Sequence, residues 1–361
     1  MKIIINNKLK LFFFLIKISK INKKYKMNKF LIVLLLAFVS CNKDINLDSF
    51  LFQKFQRFIN KYHKKYESIN EFLARFEVFK SNTLTILSEQ NSLYRTGITK
   101  FSDLTKQEFA KIYLNLNYDA MASINLDPYI VNGVEAAPNS YDWRNYNVVS
   151  AVKDQGSCGS CWAFAAIGNL EGLYAIHKGN LRTFSEQMLV DCDTSDSGCN
   201  GGLMEYTFTW LKKNGGIMYD SDYPYKGLKS TCKSDKSKYA DMTIIGWKKL
   251  GDSTSTWSCV DEDEVKEFLY ETGPLAIALN ADPLQMYSSG IIDLTSARCP
   301  SSGINHAVLL VGYGVQNGTN YWIVKNSWGK TWGESGYFRI RRGNGTCGVN
   351  CYVITAIVSF D

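Results

Sequence analysis

The chain has 361 residues, 45% of them hydrophobic and 21% charged, and carries a formal net charge of +7. That is enough chain for a sizeable core and more than one domain. The charge is uneven: residues 1–137 hold 21 Lys and Arg against 11 Asp and Glu, and residues 138–361 hold 20 against 23. The basic excess is confined to the front, so the back of the chain has no cationic stripe for nucleic acid, and no nucleic-acid partner is expected.

Residues 1–26 are rich in Ile, Asn, Lys and Phe, and the apolar stretch at 11–16 is too short to span a bilayer. Met27-Asn28-Lys29 then makes a short basic start. Residues 30–39 are apolar, and Val39 and Cys41 are small enough for the −3 and −1 positions before a signal-peptidase cut. This is a complete secretory signal, so residues 1–41 are expected to form a signal region. Met27 is then the expected true start and residues 1–26 come from an overlong gene reading. A signal anchor that uses both apolar runs is the alternative, and Phe38 fits a lipoprotein site at Cys41 poorly.

Residues 48–90 read as helical, with an aromatic stripe of Phe50, Phe52, Phe55, Phe58, Tyr62, Tyr66, Phe72, Phe76 and Phe79. Such a stripe is by default a packing face. Glu71, Arg75, Phe79, Asn82, Ile86 and Gln90 keep one helix face at intervals of four and three, where charged pairs can bridge. Gly97-Ile98-Thr99-Lys100-Phe101-Ser102-Asp103-Leu104 follows. Residues 112–137 lose periodicity and carry Asp127-Pro128, Asn132-Gly133 and Ala136-Ala137-Pro138, the composition of a linker.

Gln155-Gly156-Ser157-Cys158-Gly159-Ser160-Cys161-Trp162 is the centre of the chain. The alanine-rich run behind it, with Ile167, Leu170, Leu173 and Tyr174 at helical spacing, reads as a buried helix that Cys161 begins. A thiol there feels the positive end of the helix dipole, which favours the nucleophilic thiolate. Cys-x-x-Cys also occurs in zinc and redox sites, but no second Cys/His pair stands at zinc spacing and no thioredoxin-like βαβ setting is evident, so no metal and no cofactor are expected.

Further on, Ser185 caps a short helix starting at Glu186, and Glu205 to Lys213 is helical again, closed by Asn214-Gly215-Gly216. After about residue 240 the texture is β: strands at 242–247, 275–279, 307–313, 321–324 and 337–341, with one helix at 263–270. The fold class is therefore α+β, a helical half followed by a β-rich half. Of the ten cysteines, Cys41 leaves with the signal and Cys161 is the nucleophile; the other eight all follow residue 157, an even set suited to disulfides in an oxidising compartment.

Cys158-Gly159-Ser160-Cys161-Trp162 matches at every position the signature of papain-like cysteine peptidases, and the chain resembles a cathepsin L/F-like zymogen of that family. The face from Glu71 to Gln90 resembles the family's first pro-region motif and residues 97–104 its second, with Gln90 and Thr99 standing where Asn is usual. The resemblance implies a papain-like two-subdomain fold, with a helical half and a β-barrel-like half, preceded by a helical propeptide. The implied domains are a signal region at 1–41, an inhibitory propeptide at 42–136 and a peptidase domain at 137–361.

The chain has three histidines. His63 lies in the pro-region and His177 reads as an exposed helix end, which leaves His306 as base, in the context Asn305-His306-Ala307-Val308. Pairing with His306 as imidazolium is expected to hold Cys161 as thiolate. The resemblance makes Asn326, in Asn326-Ser327-Trp328-Gly329, the residue that orients His306, and Trp328 its shield from water. Gln155 and the Cys161 N–H make the oxyanion hole, whose donors are each worth about 2.7–4 kcal/mol in a comparable hydrolase.

For substrate, the family implies that Asn200, Gly201 and Gly202 pair with an extended peptide, alongside Asn305. The S2 pocket, which takes the second residue before the cut (P2), is lined by Leu203, Met204, Ala278, Ala307 and Tyr352. Tyr352 makes it shallow, so Leu or Val is expected over Phe at P2, with Arg poor. The family pairs Cys158–Cys199, Cys192–Cys232 and Cys299–Cys347. Cys259 and Cys351 have no family position and either pair or stay as two buried thiols. Expected partners are peptide and protein substrates, the chain's own propeptide as inhibitor, and cystatin-type inhibitors. A monomer is expected, without stable membrane association once the signal is gone, in a lysosome or vacuole or outside the cell. A catalytically inactive homologue that binds peptides or inhibits peptidases is the rival reading, although such proteins usually lose one of the groups retained here.

Overall fold

The structure, a computed structural model, describes residues 45–89, 93–116, 128–129, 137–251 and 259–360. The signal region, Gln90, and the expected linker beyond residue 116, apart from 128–129 and 137, lie outside them. The chain divides into two compact units, residues 1–72 and 73–361.

In the first unit, α1 spans Ile45–Lys61. Phe55 on α1 is fully buried, its ring centroid 6.0 Å from Phe58, 5.9 Å from Tyr66 and 5.4 Å from Phe72. The aromatic stripe is thus a packing face, as expected, but the continuous helix expected over 48–90 is broken after Lys61. His63 adopts a positive φ of 51°. Ser68 then restarts a helix: its hydroxyl accepts from Glu71 N at 3.1 Å, while the Glu71 carboxylate accepts from Glu67 N at 2.7 Å. A Ser-x-x-Glu start inside a helical pattern overrides the periodicity around it.

That second helix, α2, spans Ile69–Ser88. In the second unit its Arg75 donates to Glu108 at 2.9 Å and to the Asp103 carbonyl at 3.1 Å. Asn82 donates to the Ser102 and Leu104 carbonyls at 3.0 and 2.9 Å. One helix face therefore grips the 97–104 segment and α3, Lys106–Tyr113, which starts with a full Thr105/Glu108 capping box. Burial pushes the Glu108 carboxyl up, but Arg75 and Thr105 outweigh it and hold the group below its usual range.

Between α2 and α3 the pro-region forms a strand that the sequence reading lacks: β1, Tyr94–Thr96, pairs antiparallel with β6, Tyr287–Ile292. The other strands are β2 (Pro128–Tyr129), β3 (Tyr141–Asp142), β4 (Thr243–Leu250), β5 (Leu275–Leu279), β7 (His306–Gln316), β8 (Thr319–Lys325), β9 (Tyr337–Arg341) and β10 (Val353–Ser359). Their order is β1-β6-β9-β8-β7-β5-β10-β4-β2, with β3 pairing to β7. The helices of the peptidase part are α4 (Cys161–Lys178), α5 (Glu186–Cys192), α6 (Met204–Asn214) and α7 (Glu262–Thr272).

Two large apolar cores divide the peptidase part, as an α+β fold of two halves requires, with a small third cluster at Leu309, Val311 and Ile323. One gathers α4, α5 and α6 with Ala307, Tyr352 and Ile354; the other gathers α7, β5 and the strands β7 to β9. From Cys161 to Ala175 every residue of α4 except Phe164 is buried. Gly168 permits this: a Cβ there would lie 2.9 Å from a Leu309 methyl on β7.

Charged groups also cross between the halves. Lys153 reaches Glu171 at 3.2 Å and Glu186 at 2.7 Å, and Lys325 of β8 reaches Ser150 at 2.8 Å. Burial raises Glu186 to about 7 against the pull of Lys153.

All four disulfides form: Cys158–Cys199, Cys192–Cys232, Cys299–Cys347 and, closing the alternative left open above, Cys259–Cys351. Cys161 is the free thiol among the described residues. Alkylating the unreduced, trimmed protein under denaturing conditions should therefore add one label, on Cys161. Two further labels, on Cys259 and Cys351, would rule that pair out.

Candidate active site

Cys161 is the first residue of α4, and Ser160 before it makes no side-chain cap. The first N–H groups of the helix are therefore left for the thiol, as a helix N-terminus provides. The thiol lies among the backbone N–H groups of Ala307, Trp162, Asn115 and Cys161 itself. Ala307 follows His306 on β7, so the helix start that bears Cys161 meets the beginning of this strand.

His306 Nε2 is 2.9 Å from Asn326 Oδ1, at the end of β8. Asn326 Oδ1 also accepts from Ser327 N at 2.8 Å, which fixes the amide oxygen towards the ring. The imidazole stacks on Trp328 at 4.7 Å between ring centroids, and both are fully buried. With Nε2–H given to Asn326, Nδ1 is the nitrogen free to exchange a proton with a sulfur.

Gln155 is equally fixed. Its Oε1 accepts from Ser327 Oγ at 2.7 Å and its Nε2 donates to the Cys158 carbonyl at 2.9 Å. One amide hydrogen is thus committed and the second remains. Ser327, which the sequence offers only as the neighbour of Asn326, gains a role here. It joins the orienting residue and the oxyanion donor in one chain of bonds.

The expected substrate edge is occupied. Leu116 forms a parallel bridge with Gly202, and its N–H donates to the Asn305 carbonyl at 3.2 Å. Its side chain is buried in the large apolar cluster to which Leu203, Met204, Ala278, Ala307 and Tyr352 also belong. Gly201, at φ 115°, has no room for a Cβ because the Asn115 carbonyl lies against it. The Asn200 side chain is exposed. Of the stretch expected as linker, Ile112 and Tyr113 instead end α3, and residues 114–116 run on into the cleft and seal it. Asn115 and Leu116 lack periodicity because they meet the cleft walls at the thiol, Gly202 and Asn305.

This seal changes the electrostatics expected from sequence. Burial pushes the Cys161 thiol up to about 11, with nearby backbone N–H groups only partly offsetting it. Burial likewise pushes His306 down to about 4, against the Asn326 bond. In the sealed state the pair is neutral and not the thiolate–imidazolium expected, because desolvation disfavours both charges.

The aromatic ring set around Trp328 belongs to the same seal. Phe101, Phe109 and Tyr113 approach it at 5.2, 5.3 and 6.4 Å between centroids, and Trp332 lies at 4.9 Å. His177, by contrast, is exposed on the last turn of α4 against Phe360, far along the helix from Cys161.

Comparison with known proteins agrees with this geometry. The papain family cysteine protease pattern matches residues 137–357, and the cathepsin propeptide inhibitor domain (I29) pattern matches residues 55–109. A viral cathepsin of Adoxophyes honmai nucleopolyhedrovirus is 40% identical over 312 residues, covering 82% of this chain and 88% of the viral protein. Cathepsin F of Drosophila melanogaster is 38% identical over 320 residues, which span 86% of this chain and 50% of the fly protein. Among solved structures, digestive procathepsin L2 proteinase from the larval midgut of Tenebrio molitor superposes with a TM-score of 0.78 at 34% identity, covering 85% of this chain and 99% of that one.

Proposed function

Since the chain belongs to the papain family of cysteine proteases and carries the family's inhibitory propeptide, we propose that Cys161, His306 and Asn326 cleave internal peptide bonds once a cut near residue 137 releases the propeptide. The 2.9 Å bond between His306 and Asn326, in a strand that meets the helix start bearing Cys161, carries this reading. The Cys161 thiolate attacks the peptide carbonyl and a C–S bond forms. The oxyanion is received by the second Gln155 amide hydrogen and the Cys161 N–H. His306 passes its proton to the leaving amine as the C–N bond breaks. Water, losing a proton to His306, then hydrolyses the thioester and restores the thiol–imidazole pair.

The sealing segment explains latency. A substrate places its P2 residue before the residue at the thiol. Here Asn115 lies by the thiol and the following residue, Leu116, bridges to Gly202 and is buried in the apolar cluster that holds the expected S2 residues. The segment thus runs opposite to a substrate and presents no scissile carbonyl in the attack position. Leu116 also supports leucine as the preferred P2 residue.

Ala137 supports the boundary, because Lys266 donates to its carbonyl at 2.9 Å and anchors the start of the peptidase part. We place the protein in the secretory pathway, bound for a lysosome, a vacuole or the exterior. Among the described residues no helix is long and apolar enough to cross a membrane. Asn317 and Asn344 are exposed sequon residues open to glycosylation there. Partners are peptide substrates, the propeptide and cystatin-type inhibitors, met by a monomer.

Labelling with an epoxide directed at papain-like cysteines tests the reading. After acid trimming, the adduct should map to Cys161 and vanish in Cys161→Ala. Correct trimming with no adduct would establish the inactive, peptide-binding alternative instead.

A further inference from the structure

Behind the S2 pocket lies a layer of polar groups that the chemistry leaves unused. Tyr352, just before β10, is fully buried, and its hydroxyl has no hydrogen-bond partner among the described residues. Lys249 on β4, in register with Ile354 of β10, places Nζ 4.5 Å from the centre of the Tyr352 ring. Lys249 is only 5% exposed. Its opposite charge is Glu205, in the first turn of α6 and 1% exposed, whose two carboxylate oxygens have no hydrogen-bond partner among the described residues. Each charge steadies the other against burial: attraction to Lys249 lowers the Glu205 carboxyl that burial raises, and attraction to Glu205 raises the Lys249 amine that burial lowers.

Tyr352 therefore has one directional tether on its ring, the ammonium. No hydrogen bond among the described residues fixes its hydroxyl. The Cys259–Cys351 disulfide ties the backbone one residue earlier but leaves the side-chain torsions of Tyr352 unconstrained. A buried ammonium over an aromatic face is strongly held because water no longer competes for it. A buried charge without its counter-charge would leave that position.

Building on the S2 reading above, we propose that Lys249 and Glu205 are positioning residues for substrate selection. Lys249 holds the Tyr352 ring across the base of S2, Glu205 holds Lys249 in place, and the fixed ring sets the pocket's depth at that of leucine. Neither residue touches substrate. Glu205 adjoins Met204 in the pocket wall, and Lys249 lies one strand away from Tyr352, so both act through the ring.

The test uses trimmed protein, its active sites counted with the epoxide, and two peptide substrates that differ only in Leu or Phe at P2. Wild type should favour Leu. Lys249→Met should reduce that preference about tenfold, the scale on which pocket size discriminates side chains, through a lower KM for the Phe substrate and not through kcat. Lys249→Arg, which keeps the cation, should restore the preference, and Glu205→Gln should shift it in the same direction as Lys249→Met. A merely structural role would lower the amount of active enzyme without moving the ratio. An unchanged ratio in Lys249→Met and Glu205→Gln, or a wild type that favours Phe, overturns the proposal. If Lys249→Met does not fold, Glu205→Gln alone decides. Absence of both labelling and hydrolysis in wild type would sink the catalytic reading and this one with it, whereas active enzymes with unchanged ratios would sink this one alone.

Discussion

Cys161 of the intact precursor should alkylate with iodoacetamide on the order of a hundredfold or more slowly than Cys161 of the trimmed protein at neutral pH. Two effects combine. With its thiol pushed up to about 11, the sealed form holds only about one part in ten thousand as thiolate at pH 7. A thiolate of high pKa is intrinsically the better nucleophile, which returns part of that factor. The second effect is access: the sulfur has no exposed surface, so reagent must wait for the seal to open. Equal rates before and after trimming would mean that residues 113–116 do not occlude the thiol.

The same geometry predicts that acid opens the seal. In the sealed state His306 is held neutral down to about pH 4, whereas a solvated imidazole titrates near 6.5. Between those values the open state binds more protons, so closure is fully favoured above about pH 6.5 and loses stability as pH falls through the window. The loss is about 1.4 kcal/mol per pH unit, to a bound of about 3 kcal/mol below pH 4. The alkylation rate of the precursor should therefore rise as pH drops from 6.5 to 4, although thiolate chemistry alone would make it fall. A rate that falls monotonically with acid would exclude this linkage.

Phe101→Ala should make the precursor leaky. The ring is fully buried and meets Phe109 at 4.9 Å, Tyr113 at 4.6 Å and Trp328 at 5.2 Å between centroids. The backbone around it is bound to the peptidase part by Gln285, which donates to the Phe101 and Leu104 carbonyls at 3.2 and 2.8 Å. Truncating a buried phenylalanine costs about 3–5 kcal/mol. If most of that cost falls on the closed state, the propeptide loses at least about a hundredfold in affinity. The variant should trim and accept the epoxide at pH 7, where wild type stays latent. Asn82→Ala removes two hydrogen bonds to the same segment without a cavity and should act in the same direction, less strongly. Latency preserved in both would show that the hold lies elsewhere.

Local chemistry was the legible part of this chain. The Cys158–Trp162 loop, the helix behind it and the Ser185 cap are written in adjacent residues, and His306 followed from having only three histidines to choose among. What escaped depends on partners distant in sequence. β6 centres on Ser288-Ser289-Gly290, which has no apolar alternation, and forms because β1 and β9 flank it. β10 is a β-branched run that was readable, but the strand reading stopped at Arg341. Cys259 and Cys351 lie 92 residues apart, so parity alone hinted at their bond. The buried Glu171, Glu186 and Lys325 and the half-buried Lys153 look like ordinary surface charges until the two halves close on them. The neutral state of Cys161 and His306 was out of reach for a similar reason, since it depends on a segment that reads as a linker.

Loss of the propeptide also uncovers a template. While β1 is present, the outer side of β6 is paired, Tyr94 with Gly290, Arg95 with Ser289 and, past a bulge at Ser288, Thr96 with Tyr287. Once it leaves, that border of the sheet exposes unpaired amides and carbonyls, the feature through which sheets recruit foreign strands and aggregate. The propeptide would then protect colloidal behaviour as well as restrain catalysis. Freshly trimmed enzyme, deprived of that cover, should be the form most prone to self-association on storage.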